Sequence, residues 1–240
     1  MVKIDEVADD VYRISVLYED INLQFNHFLV KDDEPVLIHS GLNAMFGDVR
    51  EGVSKIINPS ELRWIGFSHF ESDECGSLNR WFEISPRAQA LCSHLGALVS
   101  VNDFSSRPVK GMMDGETLET GKRRFRFCST AHLPHGWDAG VFFEETGKTL
   151  FCSDLFTHFG EVEPITESDI VGRSKDSLIN MQSSPFAYYI PYTPQMKGIF
   201  ERLSGLAPDT LAVMHGSSFS GDCGKALLDL SQVIKETLGD

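Results

Sequence analysis

Ser68-His69-Phe70-Glu71-Ser72-Asp73-Glu74-Cys75-Gly76 is the stretch on which the reading of this chain turns. It follows a mostly apolar run, Leu62 to Ser68, as a loop follows a buried strand on leaving its sheet. One imidazole and three carboxylates fall between positions 69 and 74. His69, Glu71 and Asp73 alternate, so an extended or looping backbone projects them toward a common side. One short loop then offers donors to two neighbouring metal ions. A solvated polar loop has the same composition, so corroboration must come from elsewhere in the chain.

Three later pieces supply it. His132-Leu133-Pro134-His135-Gly136-Trp137-Asp138 follows an expected strand, Arg123 to Cys128. Phe151-Cys152-Ser153-Asp154-Leu155-Phe156 sets an acid at the end of an apolar strand, and Ala212-Val213-Met214-His215-Gly216-Ser217 does the same with a histidine. Taken singly, a strand-end His or Asp usually caps a helix or bonds to backbone. Four such pieces in one chain make a shared site the better reading.

Around these pieces strands and helices alternate. The N-terminal third predicts strands at Val11 to Val16, Asn22 to Val30 and Pro35 to Ser40. Asp48 to Ile57 carries Val49, Val53, Ile56 and Ile57 on one helical face and ends at Asn58-Pro59. A short helix over Gly76 to Phe82 and a strand at Ala88 to Cys92 come next. Gly140 to Glu144 and Thr149 to Cys152 flank a hairpin turn. An amphipathic helix at Gln195 to Leu206, a buried strand at Leu211 to Met214 and a closing helix at Cys223 to Leu238 complete an α/β pattern, with polar residues gathered at strand ends.

At 240 residues, 42% of them apolar, the chain can bury a substantial core as one domain, 1–240. Its net charge of −14 argues against binding nucleic acid, which is held largely by Lys and Arg. No apolar run is long enough to cross a bilayer, and Met1 to Glu6 lacks the basic start and apolar core of a signal peptide. The five cysteines, Cys75, Cys92, Cys128, Cys152 and Cys223, form no close C-x-x-C pair. Their odd number and scatter fit the reducing cytoplasm better than a disulfide framework.

The order H-x-E-x-D, then His, then Asp after an apolar strand, then His-Gly near the end, resembles the metallo-β-lactamase superfamily. Within it the chain is similar to the diiron module of the flavodiiron proteins and to oxygen-binding diiron proteins. The match extends over nearly the whole chain and includes Tyr188-Tyr189 and the His215-Gly216 turn. The resemblance implies a four-layer αββα sandwich. It further implies that His69, Glu71 and His135 hold one metal, that Asp73 and His215 hold the other, and that Asp154 bridges them. His135 matches the family position better than His132, because an aromatic residue and Asp138 follow within three positions.

The chain also departs from the pattern. Hydrolases of the superfamily usually read H-x-H-x-D-H, whereas Glu71 and Glu74 stand at the second and third histidine positions. Glu71 matches the diiron branch; Glu74 matches neither form and is open to binding the second metal, bonding to water or standing aside. Asp73 and Glu74 are the expected catalytic carboxylates. His39 stands where many relatives carry Asp, which would alter an outer contact of the site. The flavodoxin domain that supplies FMN in flavodiiron proteins is expected to be absent, since the chain ends soon after His215.

Three imidazoles with Glu71, Asp73 and Asp154 form a hard, anionic donor set, which favours iron or manganese over zinc, although zinc can occupy it. The leading expectation is a diiron site that binds or reduces O2, peroxide or NO, fed by an external electron donor. The alternatives are hydrolysis of an ester or phosphodiester by a hydroxide between two metals, and a gas or redox sensor without turnover. A homodimer is compatible with the resemblance. Phe156, Phe159 and Tyr189 are candidates for a dry wall around the ligand, and His158 for its lining, while Cys75 and Cys152 read as small buried apolar residues.

Overall fold

The computed structural model describes residues 2–239. Two seven-stranded sheets face each other. The first contains β1 (Lys3–Ala8), β2 (Val11–Tyr18), β3 (Leu23–Val30), β4 (Val36–Ile38), β5 (Trp64–Gly66), β6 (Gln89–Ser93) and β7 (Lys110–Met112), paired in that order. The second holds β8 (Thr117–Glu119), β9 (Arg124–Ser129), β10 (Gly140–Glu144), β11 (Thr149–Phe151), β12 (Ile165–Thr166), β13 (Thr210–Ala212) and β14 (Ser218–Ser220). Its order is β12-β14-β13-β11-β10-β9-β8. Helices cover both outer faces, giving the expected four-layer αββα sandwich.

On the first sheet β1 to β4 form antiparallel ladders, and β4 to β7 run parallel. Parallel neighbours need crossovers, and α1 (Phe46–Ser54), α2 (Ser72–Cys75) and α3 (Leu78–Ile84) supply them. Two small helices, α4 (His94–Gly96) and α5 (Asn102–Phe104), lead from β6 to β7 around a wider turn at Ala97–Val101. Val49 and Val53 of α1 and Trp81 and Phe82 of α3 pack with Ile14, Leu29, Leu37 and Ile65 of the sheet. On the other side α6 (Ile170–Gln182), α7 (Met196–Ser204) and α8 (Cys223–Leu238) cover the second sheet.

Between the sheets lies an aromatic layer of Phe28, Phe125, Phe127, Phe142 and Phe151, in which Phe28 and Phe125 pack on Phe151 and Phe127 on Phe142. Removing one such ring costs about 3–5 kcal/mol, because the void left behind adds to the lost transfer energy. The strands therefore alternate an inward face to this layer with an outward face to the helices.

The expected elements are present with ends shifted by a few residues, and α8 has the expected bounds. Two differences matter. Helix α6 escapes the apolar periodicity because Ser174 and Ser177 occupy buried positions between Ile170, Leu178 and Met181; its start is marked by Asp169, which accepts from Gly172 N. The polar loop is not extended throughout, because Ser72–Cys75 closes into a single helical turn.

Candidate metal centre

Loops leaving β5, β9, β11 and β13 carry His69, His135, Asp154 and His215 to one rim of the sandwich. Strand β11 is parallel to β13 and separated from β9 by one antiparallel strand, so these three end on the same side. A sheet fixes such ends rigidly, while the loops beyond are free to vary.

Two groups of donor atoms result. In the first, His69, Glu71, His135 and Asp154 each bring one ligand atom within 4.8 Å of the others. Glu71 Oε2 lies 2.8 Å from His69 Nε2 and 3.2 Å from His135 Nε2. Asp154 Oδ2 lies 3.1 Å from His135 Nε2 and 3.6 Å from His69 Nε2. In the second group, His215 Nε2 stands 3.3 Å from Asp73 Oδ2 and 3.2 Å from Asp154 Oδ1. Asp154 belongs to both groups through different oxygens, the arrangement of a bridging carboxylate.

Electrostatics make these groups a competent cation site. Burial alone pushes the His69 imidazole down, but Glu74, Glu71 and Asp154 outweigh it and hold its pKa at about 10. For His215, Asp154 and Asp73 likewise overcome burial and raise it to about 10; for His135, Asp154 and Glu71 raise it to about 9. His135 and His69 hold the Glu71 carboxyl down at about 2. Burial and the neighbouring Asp154 charge push Asp73 the other way, upward, against the pull of His215. Without metal, protons on the imidazoles balance this crowd of carboxylates.

The residues present fit a pair of metal ions. Asp73 Oδ1 and Asp154 Oδ1 are buried and make no hydrogen bond, the latter despite its 3.2 Å approach to His215. Buried carboxylate oxygens left unpaired are costly, and a cation relieves that cost. His215 also donates Nδ1–H to the Gln24 carbonyl at 2.9 Å, which leaves Nε2 facing the carboxylates.

The turn that carries His215 is held from the first sheet. Asn26 Nδ2 donates to the Val213 and Gly216 carbonyls at 2.9 and 2.7 Å, and buried Arg13 donates to Gly216 O at 3.1 Å. Gly216 adopts φ +129°, and a Cβ there would meet His158 Cε1 at 2.2 Å, so the His-Gly pair needs its glycine. His158 accepts from Ser217 N through Nε2 and pairs with Phe156 O through Nδ1. It therefore braces this turn and does not line the ligand pocket.

A cavity of about 150 Å³ opens on the centre. Glu71, Asp73 and His215 form its polar floor, and Leu23, Phe25, Phe159, Met181, Phe186 and Tyr189 are among its walls. Phe159 and Tyr189 match the expected dry wall; Phe156 is buried in the core beside Leu155 and Leu178 instead. The Tyr189 hydroxyl reaches further than a wall, lying 2.8 Å from His135 Nε2 and donating to Asp154 Oδ2 at 3.3 Å. Burial and Asp154 push its phenol pKa up, so it keeps its proton. From the sequence Tyr189 reads as apolar lining only; its place beside Tyr188 in the family-like pattern is the signal for more.

Glu74, open in the sequence to binding the second metal, bonding to water or standing aside, belongs to neither donor group. Successive residues of the Ser72–Cys75 turn point about 100° apart, so Asp73 and Glu74 cannot share a direction. Glu74 is fully buried behind His69. Asp138 is also outside the groups: it accepts from Phe70 N at 3.0 Å and pins the loop between His69 and Glu71. His132 belongs to neither group. Burial pushes the Cys75 and Cys152 thiols up, consistent with unreactive core residues.

The chain is similar to known proteins over most of its length. Flavo-diiron protein FprA2 of Clostridium acetobutylicum is 24% identical over 226 residues, which cover 88% of this chain and 56% of that protein. Rubredoxin-oxygen oxidoreductase of Megalodesulfovibrio gigas is 28% identical over 207 residues, covering 82% and 49%. The chain thus spans about half the length of the curated relatives it matches. Among solved structures, rubredoxin oxygen:oxidoreductase from Desulfovibrio gigas superposes with a TM-score of 0.82 at 22% identity, covering 96% of this chain and 61% of that one. The family model described as ODP family beta lactamase matches residues 23–216, and the chain therefore belongs to that family.

Proposed function

We propose that this chain holds two iron ions and uses them to bind and reduce a diatomic molecule, O2 or NO. The observation that carries the reading is the small, apolar-walled cavity of about 150 Å³ whose floor is Glu71, Asp73 and His215. It has room for a molecule of a few atoms. No Lys or Arg lines it to receive a phosphate, which weighs against a phosphodiester substrate.

Four donors, His69, Glu71, His135 and Asp154, would hold one iron, and Asp73, Asp154 and His215 the other. Two irons so held would supply electrons and a binding point for the diatomic. Three carboxylates among six ligands favour iron over zinc, since hard anionic oxygens stabilise the higher oxidation state. The chain's own residues do the rest. Phe25, Phe159 and Met181 keep water from the cavity, Asp154 holds the two groups in register, and Tyr189 presents a protonated hydroxyl at the edge of the floor. Electrons would come from an external one-electron carrier, a role for which the rubredoxin-oxygen oxidoreductase relative suggests a rubredoxin-like donor.

Anaerobic loading with Fe(II), followed by exposure to O2 or NO, tests the reading. Visible absorption should change on exposure, and gas should be consumed steadily once reduced rubredoxin is supplied. A chain that takes up iron yet stays inert to both gases would overturn it. A stable adduct without turnover would point to sensing instead.

A further inference from the structure

Fully buried Glu74 has a specific arrangement. Its Oε2 accepts from Ser68 N at 2.8 Å, and its Oε1 accepts from Ser68 Oγ at 2.7 Å and from Ser153 Oγ. His39 Nε2 stands 3.4 Å from Oε2, so the two departures from the family-like pattern face each other. Nδ1 of His69 lies 2.8 Å from Ser68 Oγ and 3.4 Å from Glu74 Oε1.

The three site histidines are not equally constrained. At His215 the Nδ1 partner is the Gln24 carbonyl, which can only accept, so the proton must sit on Nδ1. At His69 the Nδ1 partner is a hydroxyl, which can either donate or accept. If Ser68 donated to Nδ1, the ring proton would move to Nε2, the atom that faces Glu71 and the metal position.

We propose that Glu74 is a positioning residue that sets the tautomer of His69 through Ser68. A carboxylate only accepts, so both serine hydroxyls must direct their protons toward it. Ser68 Oγ also lies 2.6 Å from Ser153 Oγ, and that route ends on Glu74 as well. Either way the Ser68 hydroxyl proton points away from His69, its lone pair takes Nδ1–H, and Nε2 keeps its lone pair for the metal. The arrangement is a carboxylate–serine–histidine relay behind the first donor group; among the described residues nothing comparable stands behind the second, where backbone does the same work. The inference rests on the metal-centre reading.

The test uses stepwise binding of Zn(II), as a diamagnetic probe, to wild type, Glu74→Gln and Ser68→Ala, with ¹⁵N NMR of the histidine rings. In wild type two ions bind, and His69 shows a metal-bound Nε2 with a hydrogen-bonded Nδ1 proton. Glutamine can donate to the serines, which frees Ser68 to donate to His69. Glu74→Gln should weaken one binding step by roughly 10–100-fold, the usual effect of losing an outer partner of a ligand, and remove the Nδ1 proton signal. The other step should change far less. Ser68→Ala removes the relay and leaves Glu74 in place, so it should weaken the same step even if Glu74→Gln does not fold. Variants that bind both ions as wild type does and keep the Nδ1 proton would overturn the proposal with the metal reading intact. A wild type that binds no metal would instead overturn the metal reading.

Discussion

The two donor groups share Asp154 but are built differently. The first takes His69 and Glu71, two positions apart on one loop, and adds His135, a 2.8 Å hydrogen-bond neighbour of Tyr189. The second draws Asp73, Asp154 and His215 from three separate segments. Its histidine is steered by Gln24, Asn26 and Arg13 of the opposite sheet, through contacts some 190 residues away along the chain. Three residues, not four, make the second group, and both Asp73 and His215 line the cavity. The first group thus joins two donors of one loop to two brought from distant strands, whereas the second rests on long-range packing alone and is the more deeply buried of the two.

Asp154→Asn attacks what the groups have in common and should have the largest effect. Both binding steps should weaken by more than the roughly 10–100-fold that losing an outer partner brings. Calorimetric titration with Fe(II) or Zn(II) checks this, and survival of either step at wild-type strength would show that the carboxylate is not shared. His135→Ala and His215→Ala then separate the groups: each should abolish one step and leave the other measurable.

Acidity offers a third way to probe the pair. In the metal-free fold the imidazoles of His69, His135 and His215 have pKa values raised to about 10, 9 and 10, so near neutrality metal must displace their protons. Affinity should rise with pH until about 9 to 10. Because these values exceed the ordinary 6.5, the pairs stabilise the metal-free chain fully below pH of about 6.5, and that contribution fades as pH rises through 9 to 10. Thermal melts should therefore show the metal-free chain weakening across this window while the loaded chain changes less.

Smaller effects sharpen the contrast. Asn26→Ala strips two hydrogen bonds from the His215 turn and should cost about 1–3 kcal/mol in a denaturant melt, with the second group weakened more than the first. Phe186→Ala, at the half-exposed mouth of the cavity, should shift stability by no more than about 0.5 kcal/mol. Metal content should be unchanged, while NO reaches the loaded centre faster in stopped flow.

The site was legible in the sequence wherever its logic is local. His69, Glu71 and Asp73 announce themselves because three donors fall within five positions after an apolar strand, and Asp154 and His215 because each follows such a strand. Glu74 stays open in the sequence for the converse reason. A charge beside ligands looks like a ligand, and only the Ser72–Cys75 helical turn sends it behind His69. Tyr189 and Arg13 were read as lining or left unread, since their partners lie far along the chain. The α6 helix was missed because buried serines replace apolar residues on its inner face.

By itself the sequence determined the alternation of strands and helices, the four ligand-bearing segments and an anionic donor set, because periodicity and residue chemistry are carried by neighbours. Tertiary structure alone decided which oxygen of Asp154 serves which group, how Glu74 comes to meet Ser153 and His39, and how a cavity of about 150 Å³ closes over the centre. Those outcomes depend on directions and distances between residues far apart in the chain, which are fixed only once the two sheets pack together.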